Sequence, residues 1–271
     1  MGYILKANKY LIFLAATILN SSYILADEIK IGFVGLSMDY VERDVDESFL
    51  DSEKSSLFDI LGIDAHYKGT FNGLDHNYST NLYVMLSYVQ GKSNYDGALQ
   101  DLETGTTTPY KSKSGNDLVN FKLRAEEVRH TGNLDVKIFV GAGYRFWNRN
   151  LDEGGIYGFS EEYKWLYGDA GVGCDFFEGN STLGFSSSLQ YAYKPTMQLN
   201  FGSGYNFNLG QTWGYNAEIH FRENLPKSFF IEVGYEYDYW KISRSNIVAD
   251  WIEPDSKTNN QYIKLSIGMN F

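Results

Sequence analysis

The chain has few of the residues on which common enzyme and metal sites depend. Its 271 residues include 1 cysteine, Cys174, and 4 histidines. A lone cysteine excludes an internal disulfide and a cysteine-based zinc site. The Gly-x-Ser-x-Gly elbow of serine hydrolases and the His-Glu-x-x-His motif of zinc proteases are both missing. The acidic loops have the charge to attract calcium, but the EF-hand spacing is absent. We therefore predict no cofactor, no metal ion and no motif-based catalytic site.

Positive charge and long apolar runs are also scarce. Lys and Arg number 23 against 34 Asp and Glu, which gives a formal net charge of -11. A protein with this charge is a poor partner for nucleic acid. Mean hydropathy is -0.34, and the apolar run at residues 10–19 is too short to span a bilayer as a helix. The composition thus argues against a nucleic-acid partner and gives no sign of membrane helices.

Residues 1–26 have the organisation of a secretory signal peptide. Lys6 and Lys9 form a positive n-region, which is followed by the short apolar core and a polar-to-small segment. The alternative, a retained membrane anchor, is disfavoured by the shortness of that core. Cleavage after Ala26 leaves residues 27–271 as one mature domain.

Aromatic residues and glycine are abundant, and apolar residues follow an alternating pattern. The chain contains 22 Tyr, 18 Phe, 5 Trp and 27 Gly. In residues 261–271, apolar side chains alternate with polar or small ones up to Phe271. Because successive side chains of a strand point to opposite faces, this stretch predicts a strand with one wholly apolar face. Such strands, about ten residues long and rich in aromatics, are typical of membrane β-barrels.

The same alternation divides the rest of the mature chain into strands. The connections between them are alternately long and short, and the short ones follow the second, fourth, sixth and eighth strands. This order is typical of outer-membrane barrels and has no counterpart in a soluble β-sandwich, the alternative fold. The predicted fold is an all-β, transmembrane, antiparallel up-and-down β-barrel of ten strands, with eight or twelve as alternatives. A shift in the apolar phase near Gly35 predicts a bulge in the first strand. The predicted strands are residues 28–41, 57–71, 79–92, 117–130, 134–148, 161–177, 181–194, 211–223, 228–242 and 261–271.

The apolar positions leading to the last aromatic residue resemble the C-terminal assembly signal of outer-membrane β-barrels of Gram-negative bacteria. They are Leu265, Ile267, Met269 and Phe271. In architecture the chain resembles small opacity-type and porin-like surface proteins. The resemblance implies a location in the outer membrane, with periplasmic termini and extracellular long loops. It also implies outer-membrane lipid and the barrel assembly machinery as partners.

The lumen face of the predicted strands has charges of both signs. A desolvated charge costs several kcal/mol unless it is paired, and barrels of about eight strands have interiors that side chains nearly fill. We therefore predict a lumen filled by ion pairs, with an open pore as the alternative. The predicted lumen charge network is Lys122, Arg124, Glu126, Lys137, Arg145, Glu218, His220, Arg222, Glu232, Glu236 and Lys264.

Aromatic residues concentrate towards the strand ends on the outer side. Because Tyr and Trp favour the lipid–water interface, we predict that they form a girdle there, with a sugar- or peptide-binding platform as the alternative. Examples are Tyr144, Phe146, Trp147, Tyr163, Trp165, Tyr167, Tyr191, Tyr193, Tyr237, Tyr239 and Trp240.

A ten-stranded barrel also resembles the omptin proteases, which use an Asp pair and an Asp-x-His pair near the extracellular rim. The one Asp-x-His here, Asp64 to His66, lies within a strand below the rim, and the Asp-x-Asp at residues 44–46 lies in the first loop. Since neither position matches the omptin pattern, no catalytic residue is assigned. We expect Asp64 to orient or neutralise His66.

Three functions fit this sequence. The leading hypothesis is a non-enzymatic outer-membrane surface barrel whose extracellular loops bind a ligand or support the envelope. The first alternative is a small passive solute channel, which requires a wet and unblocked lumen. The second alternative is an outer-membrane hydrolase of peptide or lipid, for which His130 and His220 are candidates by elimination.

Overall fold

The structure is a computed structural model that describes residues 27–44, 46–72, 77–100, 107–151, 158–200, 204–249 and 251–271. The predicted signal peptide, residues 1–26, and Val45 of the Asp-x-Asp lie outside the described residues. One turn of 3-10 helix, Pro226–Ser228, connects the tenth and eleventh strands. Within the described ranges, no helix is long and apolar enough to cross a membrane. The strands are β1 (Glu28–Arg43), β2 (Phe49–Lys54), β3 (Ile60–Asn72), β4 (Tyr78–Gln100), β5 (Thr107–Thr131), β6 (Leu134–Leu151), β7 (Phe159–Glu178), β8 (Ser181–Asn200), β9 (Tyr205–Asn208), β10 (Thr212–Asn224), β11 (Phe229–Ile242) and β12 (Asp255–Asn270).

The strands form one closed antiparallel ring. Its order is β1, β3, β4, β5, β6, β7, β8, β10, β11, β12 and again β1. The remaining two strands continue ring positions that β3 and β10 begin. β2 pairs with β1 and β4 above β3, and β9 pairs with β8 above β10. The 12 strands therefore occupy ten positions around the ring. The predicted antiparallel up-and-down β-barrel is confirmed.

A belt of apolar side chains surrounds the ring. Each of the ten ring strands exposes at least one large apolar side chain, with exposed fractions between 39% and 76%. Monomeric soluble proteins rarely expose an apolar surface of this extent, whereas it is typical of the lipid-facing side of a membrane barrel. The belt defines the membrane-spanning part of each strand. Its members include Phe33, Ile63, Leu82, Leu123, Val140, Val172, Leu189, Ile219, Val233 and Leu265.

The ring closes through a long seam between β1 and β12. These strands pair without interruption from Glu28 opposite Asn270 to Arg43 opposite Asp255. The predicted bulge near Gly35 is wrong, because the register passes through this position unbroken. The apolar residues beyond it lie on the lumen side of an unbroken strand, where they join an apolar core.

Several predicted loops are paired strands. The segment predicted as a loop between the third and fourth predicted strands instead extends β4 and β5 into a hairpin that pairs as far as Gln100 and Thr107. Predicted loops also contain β2 and β9. The outward residues of the extended hairpin include Lys92, Asp96 and Lys111, so it lies beyond the belt. A strand surrounded by water needs no apolar face, and hydropathy alternation therefore did not reveal it.

Candidate functional site

The barrel interior has a polar lower layer and an aromatic upper layer, where "lower" means nearer to the short turns. A cavity of about 360 Å³ lies in the lower layer and is lined largely by charged and polar side chains. We call it the vestibule. A second cavity of about 60 Å³ lies higher, beside Lys122 and Lys264. The two cavities divide the lower lumen into small polar spaces.

The structure places the whole predicted lumen charge network inside the barrel. Arg222 bridges two carboxylates near the lower end, with 2.7 Å from its guanidinium to both Glu28 and Glu232. Higher up, Arg145 pairs with Asp238 at 2.8 Å. Further contacts are Lys30–Glu232 at 2.5 Å, Arg124–Asp169 at 3.1 Å, Lys122–Asp169 at 3.8 Å, His220–Asp175 at 3.9 Å, Glu126 with Asn81 and Tyr83 at 3.0 Å, Lys137 with Asp175, Lys264 with Glu236, and Glu218 in the field of Lys264.

The Asp-x-His pair has the structural arrangement expected from its spacing. The His66 Nε2 atom lies 2.8 Å from the Asp64 carboxylate, and Asp64 is almost fully buried. The two side chains share the lumen face of β3. Asp64 therefore orients His66 below the upper end of the barrel.

A serine, a histidine and an aspartate form a hydrogen-bonded chain at the lower edge of the vestibule. Ser79 Oγ lies 3.0 Å from His130 Nε2, and His130 Nδ1 lies 2.8 Å from Asp135 Oδ1. All three residues line the vestibule. If the carboxylate accepts from Nδ1–H, then Nε2 is left to accept the serine proton, which is the order of a Ser-His-Asp triad. We call these residues the rim triad, after the lower rim of the barrel, at the end with the short turns.

The upper lumen is filled by stacked aromatic rings. Trp147 lies between Tyr40 and Tyr163, with ring centroids 5.3 and 5.1 Å away. Trp240 packs against two further rings, Trp165 and Tyr167, at 5.1 and 5.4 Å. These six residues are at most 3% exposed, and we call them the aromatic plug.

The predicted aromatic girdle is therefore only partly right. Tyr191 and Tyr193 face outward and are 57% and 62% exposed. The prediction is wrong for Trp147, Tyr163, Trp165, Tyr167 and Trp240, which face the lumen. The physical reason is that these five positions share the alternation of the lumen charges on their own strands.

Above the plug, one buried arginine is surrounded by glutamates. Arg149 is 0% exposed and contacts Glu42 at 3.0 Å, Glu53 at 3.0 Å and Glu161 at 2.7 Å. Its guanidinium also stacks 4.0 Å from the centre of the Tyr40 ring. Glu253 joins the group through the hydroxyl of Tyr163, which donates to Glu253 and also lies within hydrogen-bond distance of Glu161. We call Glu42, Glu53, Arg149, Glu161 and Glu253 the mouth cluster.

The mouth cluster lies beyond the membrane-spanning belt. Close to Glu161, the outer face of β7 carries Glu162 and Lys164, which form an ion pair at 2.5 Å. These positions would be apolar if they faced lipid. Burial, together with the carboxylate of Glu42, raises the pKa of Glu253 well above its ordinary value. Burial and Glu42 likewise raise the pKa of Asp51, which lies opposite Glu42 on β2. Acidic groups thus outnumber basic groups among the described residues at this end of the lumen, and burial opposes the ionisation of some of them.

Sequence reasoning did not identify the mouth cluster or the rim triad. The cluster draws residues from β1, β2, β6, β7 and the connection before β12, so no local motif joins them. One signal was present, because Arg149 continues the lumen alternation of Arg145 and Trp147 on β6. His130 was found by elimination, but its partners Ser79 and Asp135 come from other strands.

Comparison with known proteins gives only distant structural likenesses. No protein-family model and no curated protein matches the chain. The transport unit of the autotransporter AIDA-I from Escherichia coli is 10% identical, with a TM-score of 0.44, 94% of this chain covered and 96% of that chain. The translocator domain of the autotransporter NalP from Neisseria meningitidis is 10% identical, with a TM-score of 0.42 and coverages of 100% and 97%. The Ralstonia pickettii toluene transporter TbuX is 8% identical, with a TM-score of 0.37 and coverages of 91% and 90%. The barrel described above rests on its own strand pairing, and these likenesses carry no argument about activity.

Proposed function

We propose that this chain is an outer-membrane surface barrel with a closed lumen, which acts through its extracellular end. In this proposal the termini and short turns face the periplasm. The extended β-structure formed by β2, β9 and the upper β4–β5 hairpin faces the cell exterior. The observation that carries the proposal is the aromatic plug. It fills the upper lumen with buried rings, and the mouth cluster lies above it.

The plug argues against a permanently open pore. A hydrated solute needs a continuous wet path, whereas Trp147, Tyr163 and Trp240 are nearly inaccessible to solvent. Close-packed interiors have few spaces larger than a water molecule. In this proposal a ligand therefore binds to the extracellular β-structure rather than within the lumen.

A solute channel is the alternative candidate, and the vestibule favours it. A charged cavity of about 360 Å³ at the lower end of the lumen is the expected entry of a pore that is gated at its upper end. Such a channel would conduct only when the aromatic plug moves. Conductance measurements on the protein and on a plug variant distinguish the two functions.

We would measure single-channel conductance of the folded mature chain in a planar bilayer. The proposal expects no steps from the wild type and stable steps from Trp147→Ala, because this change removes the ring at the centre of the plug. Phe146→Ala is the matched control, since the neighbouring side chain lies on the opposite face of β6 and should leave the lumen closed. Ohmic steps from the wild type would move the channel to first place.

The rim triad supports a second candidate function, hydrolysis of a small polar ester. Ser79 Oγ would attack the carbonyl carbon while its proton passes to His130 Nε2. The leaving alcohol would then take that proton, and water would release the acyl group from Ser79 in a second step. Asp135 would hold the imidazole in the required tautomer.

A serine-directed fluorophosphonate tests this candidate. Labelling of the folded wild type should be lost in Ser79→Ala and strongly reduced in His130→Asn. Ser186→Ala is the control, because Ser186 lines the same vestibule outside the triad. Equal labelling of the wild type and Ser79→Ala would leave the three residues a purely structural hydrogen-bonded group.

A further inference from the structure

We propose that the mouth cluster binds one hard, oxygen-preferring divalent cation, with calcium as the expected ion. The proposed ligands are Glu42, Glu161 and Glu253, supported by Asp51 and Ser256. The site is separate from the vestibule and from the rim triad. It depends on neither candidate function, because an ion can bind there whether the lumen conducts or stays closed.

The spacing of the three glutamates fits a single ion. One carboxylate oxygen from each of Glu42, Glu161 and Glu253 lies within 4.8 Å of the others, and all three residues are buried. Calcium–oxygen distances are about 2.3–2.6 Å, so two ligands on opposite sides of one ion stand up to roughly 5 Å apart. The glutamates can therefore reach a common ion with little movement.

Hydrogen bonds within the cluster leave capacity for such an ion. Arg149 donates to Oε1 of Glu42 and to Oε2 of Glu161, and Tyr163 donates to Oε1 of Glu253. These contacts use one oxygen of each carboxylate, and a cation requires only one more from each. Every proposed metal ligand is an oxygen atom, which favours calcium or magnesium over softer metals.

An unsatisfied hydroxyl beside Glu42 is the independent observation that points to a ligand. Ser256 is 2% exposed, and its Oγ has no hydrogen-bond partner among the described residues. It lies directly opposite Glu42 in the β1–β12 ladder, so both side chains project from the same face. A buried polar group without a partner is costly, and a bound ion with its water would satisfy this one.

A second unsatisfied atom lies on the other side of Glu42. Asp51 is opposite Glu42 in the β1–β2 ladder, and its Oδ1 atom is buried without a hydrogen-bond partner in the described structure. Three neighbouring strands thus carry a row of oxygen atoms that could bind a metal ion, on Ser256, Glu42 and Asp51. This row continues to Glu161 and Glu253 across the lumen.

The charge balance of the region also calls for a cation. Asp51 and the four glutamates of the mouth cluster lie around a single guanidinium, that of Arg149, which forms ion pairs with Glu42, Glu53 and Glu161. Asp51 and Glu253 lie close enough to interact with its charge but form no ion pair with it. Buried carboxylates are tolerated when they are paired, coordinated to metal or protonated. When all five carboxylates are ionised, one divalent ion would halve the excess of negative charge that Arg149 leaves.

The ligands are held by parts of the fold that can position them. Glu42, Asp51 and Glu161 lie on strands, and Glu253 is fixed inward by two hydrogen bonds between its backbone and Ser245, at 2.9 and 3.0 Å. A bound ion would therefore join the connection before β12 to β1 and β7. It would lock the extracellular end of the barrel above the plug.

Terbium luminescence tests the proposal directly, because Tyr163 and Trp147 lie beside the ligands and can transfer excitation energy to a bound Tb³⁺. The full mature chain, folded in detergent micelles, would be titrated with Tb³⁺ and then with CaCl₂. We expect one saturable site per barrel from which calcium displaces terbium. Glu253→Gln should weaken calcium binding by about tenfold or more, because it removes a charged ligand.

Two further variants make the result decisive. Ser256→Ala removes only a neutral hydroxyl, so it should keep the fold and weaken binding severalfold. Glu162→Gln is the matched control on the outer face of β7 and should bind as the wild type does. The absence of saturable luminescence from folded protein, or equal calcium affinity in wild type and Glu253→Gln, would overturn the proposal. Equal losses in Glu253→Gln and Glu162→Gln would also overturn it, since they indicate adsorption to surface acids.

Discussion

Replacing Arg149 by methionine is the strongest perturbation that the structure suggests. The guanidinium contacts three carboxylates, and neither Arg149 nor Glu53 has any exposed side-chain area. Methionine fills a similar volume but has no charge. The glutamates that Arg149 neutralises would then be buried beside each other without a counter-charge.

The expected loss of stability is large. Removing one partner of a buried ion pair typically costs about 3–5 kcal/mol. At about 1.4 kcal/mol per factor of ten, this loss lowers the ratio of folded to unfolded protein by roughly two to three and a half orders of magnitude. The assay is equilibrium unfolding by urea in phospholipid vesicles without divalent cations, followed by the gel mobility difference between folded and unfolded chains.

Arg244→Met is the matched control for this measurement. Arg244 pairs with Asp255 at 2.6 Å, but the two side chains are 37% and 31% exposed. An exposed pair of this kind contributes about 1 kcal/mol or less. We expect the free energy of unfolding of Arg244→Met to lie within about 1 kcal/mol of the wild-type value. If that of Arg149→Met does so too, the argument from buried charge is refuted.

Three further predictions concern the lipid face, the terminal signal and pH. Val140→Arg should cost about 2–4 kcal/mol in bilayers if Val140, 62% exposed, faces lipid; a negligible loss would contradict a lipid-facing belt. Deleting Phe271 should reduce the amount of barrel assembled in the outer membrane, as measured by surface protease accessibility, and unchanged assembly would remove the terminal-signal argument. Burial and the neighbouring Glu42 and Glu53 raise the pKa of Glu161 from 4.5 to about 7. The folded state therefore holds a proton that the unfolded state has released, and in divalent-free buffer stability should fall as pH rises through this window. Glu161→Gln should flatten that dependence in urea titrations at several pH values, and an unchanged slope would assign it to another group.

The membrane-facing part of the fold could be predicted from the sequence because lipid imposes a strict pattern. Each belt position must be apolar while its neighbours face the lumen, so alternation located β6 within a few residues and found β12 except for its first six residues. The pattern fails where water replaces lipid. The upper β4–β5 hairpin has polar residues on its outer face, and its pairing is held by backbone hydrogen bonds that hydropathy does not report.

The lumen was harder to predict because its two layers follow different rules. Lumen charges such as Arg145 were recognised by their alternation with apolar residues. The same alternation continues to Trp147, but its aromatic ring was assigned to the lipid interface by residue type. Position on the strand was the better guide than residue type. The mouth cluster required knowledge of which strand ends meet across the barrel, and that follows only from the closed ring.

The seam between β1 and β12 also dictates how this protein can enter a membrane. The strand that comes first in chain order finds one of its two neighbours only when the last strand has arrived. Until then its unpaired edge would present amide and carbonyl groups to hydrocarbon, where each unsatisfied group costs several kcal/mol. A chain that lacks β12 should therefore fail to insert into the membrane rather than form a smaller barrel. We therefore expect ring closure to require β12, and the free edge of β1 to need cover until β12 pairs with it.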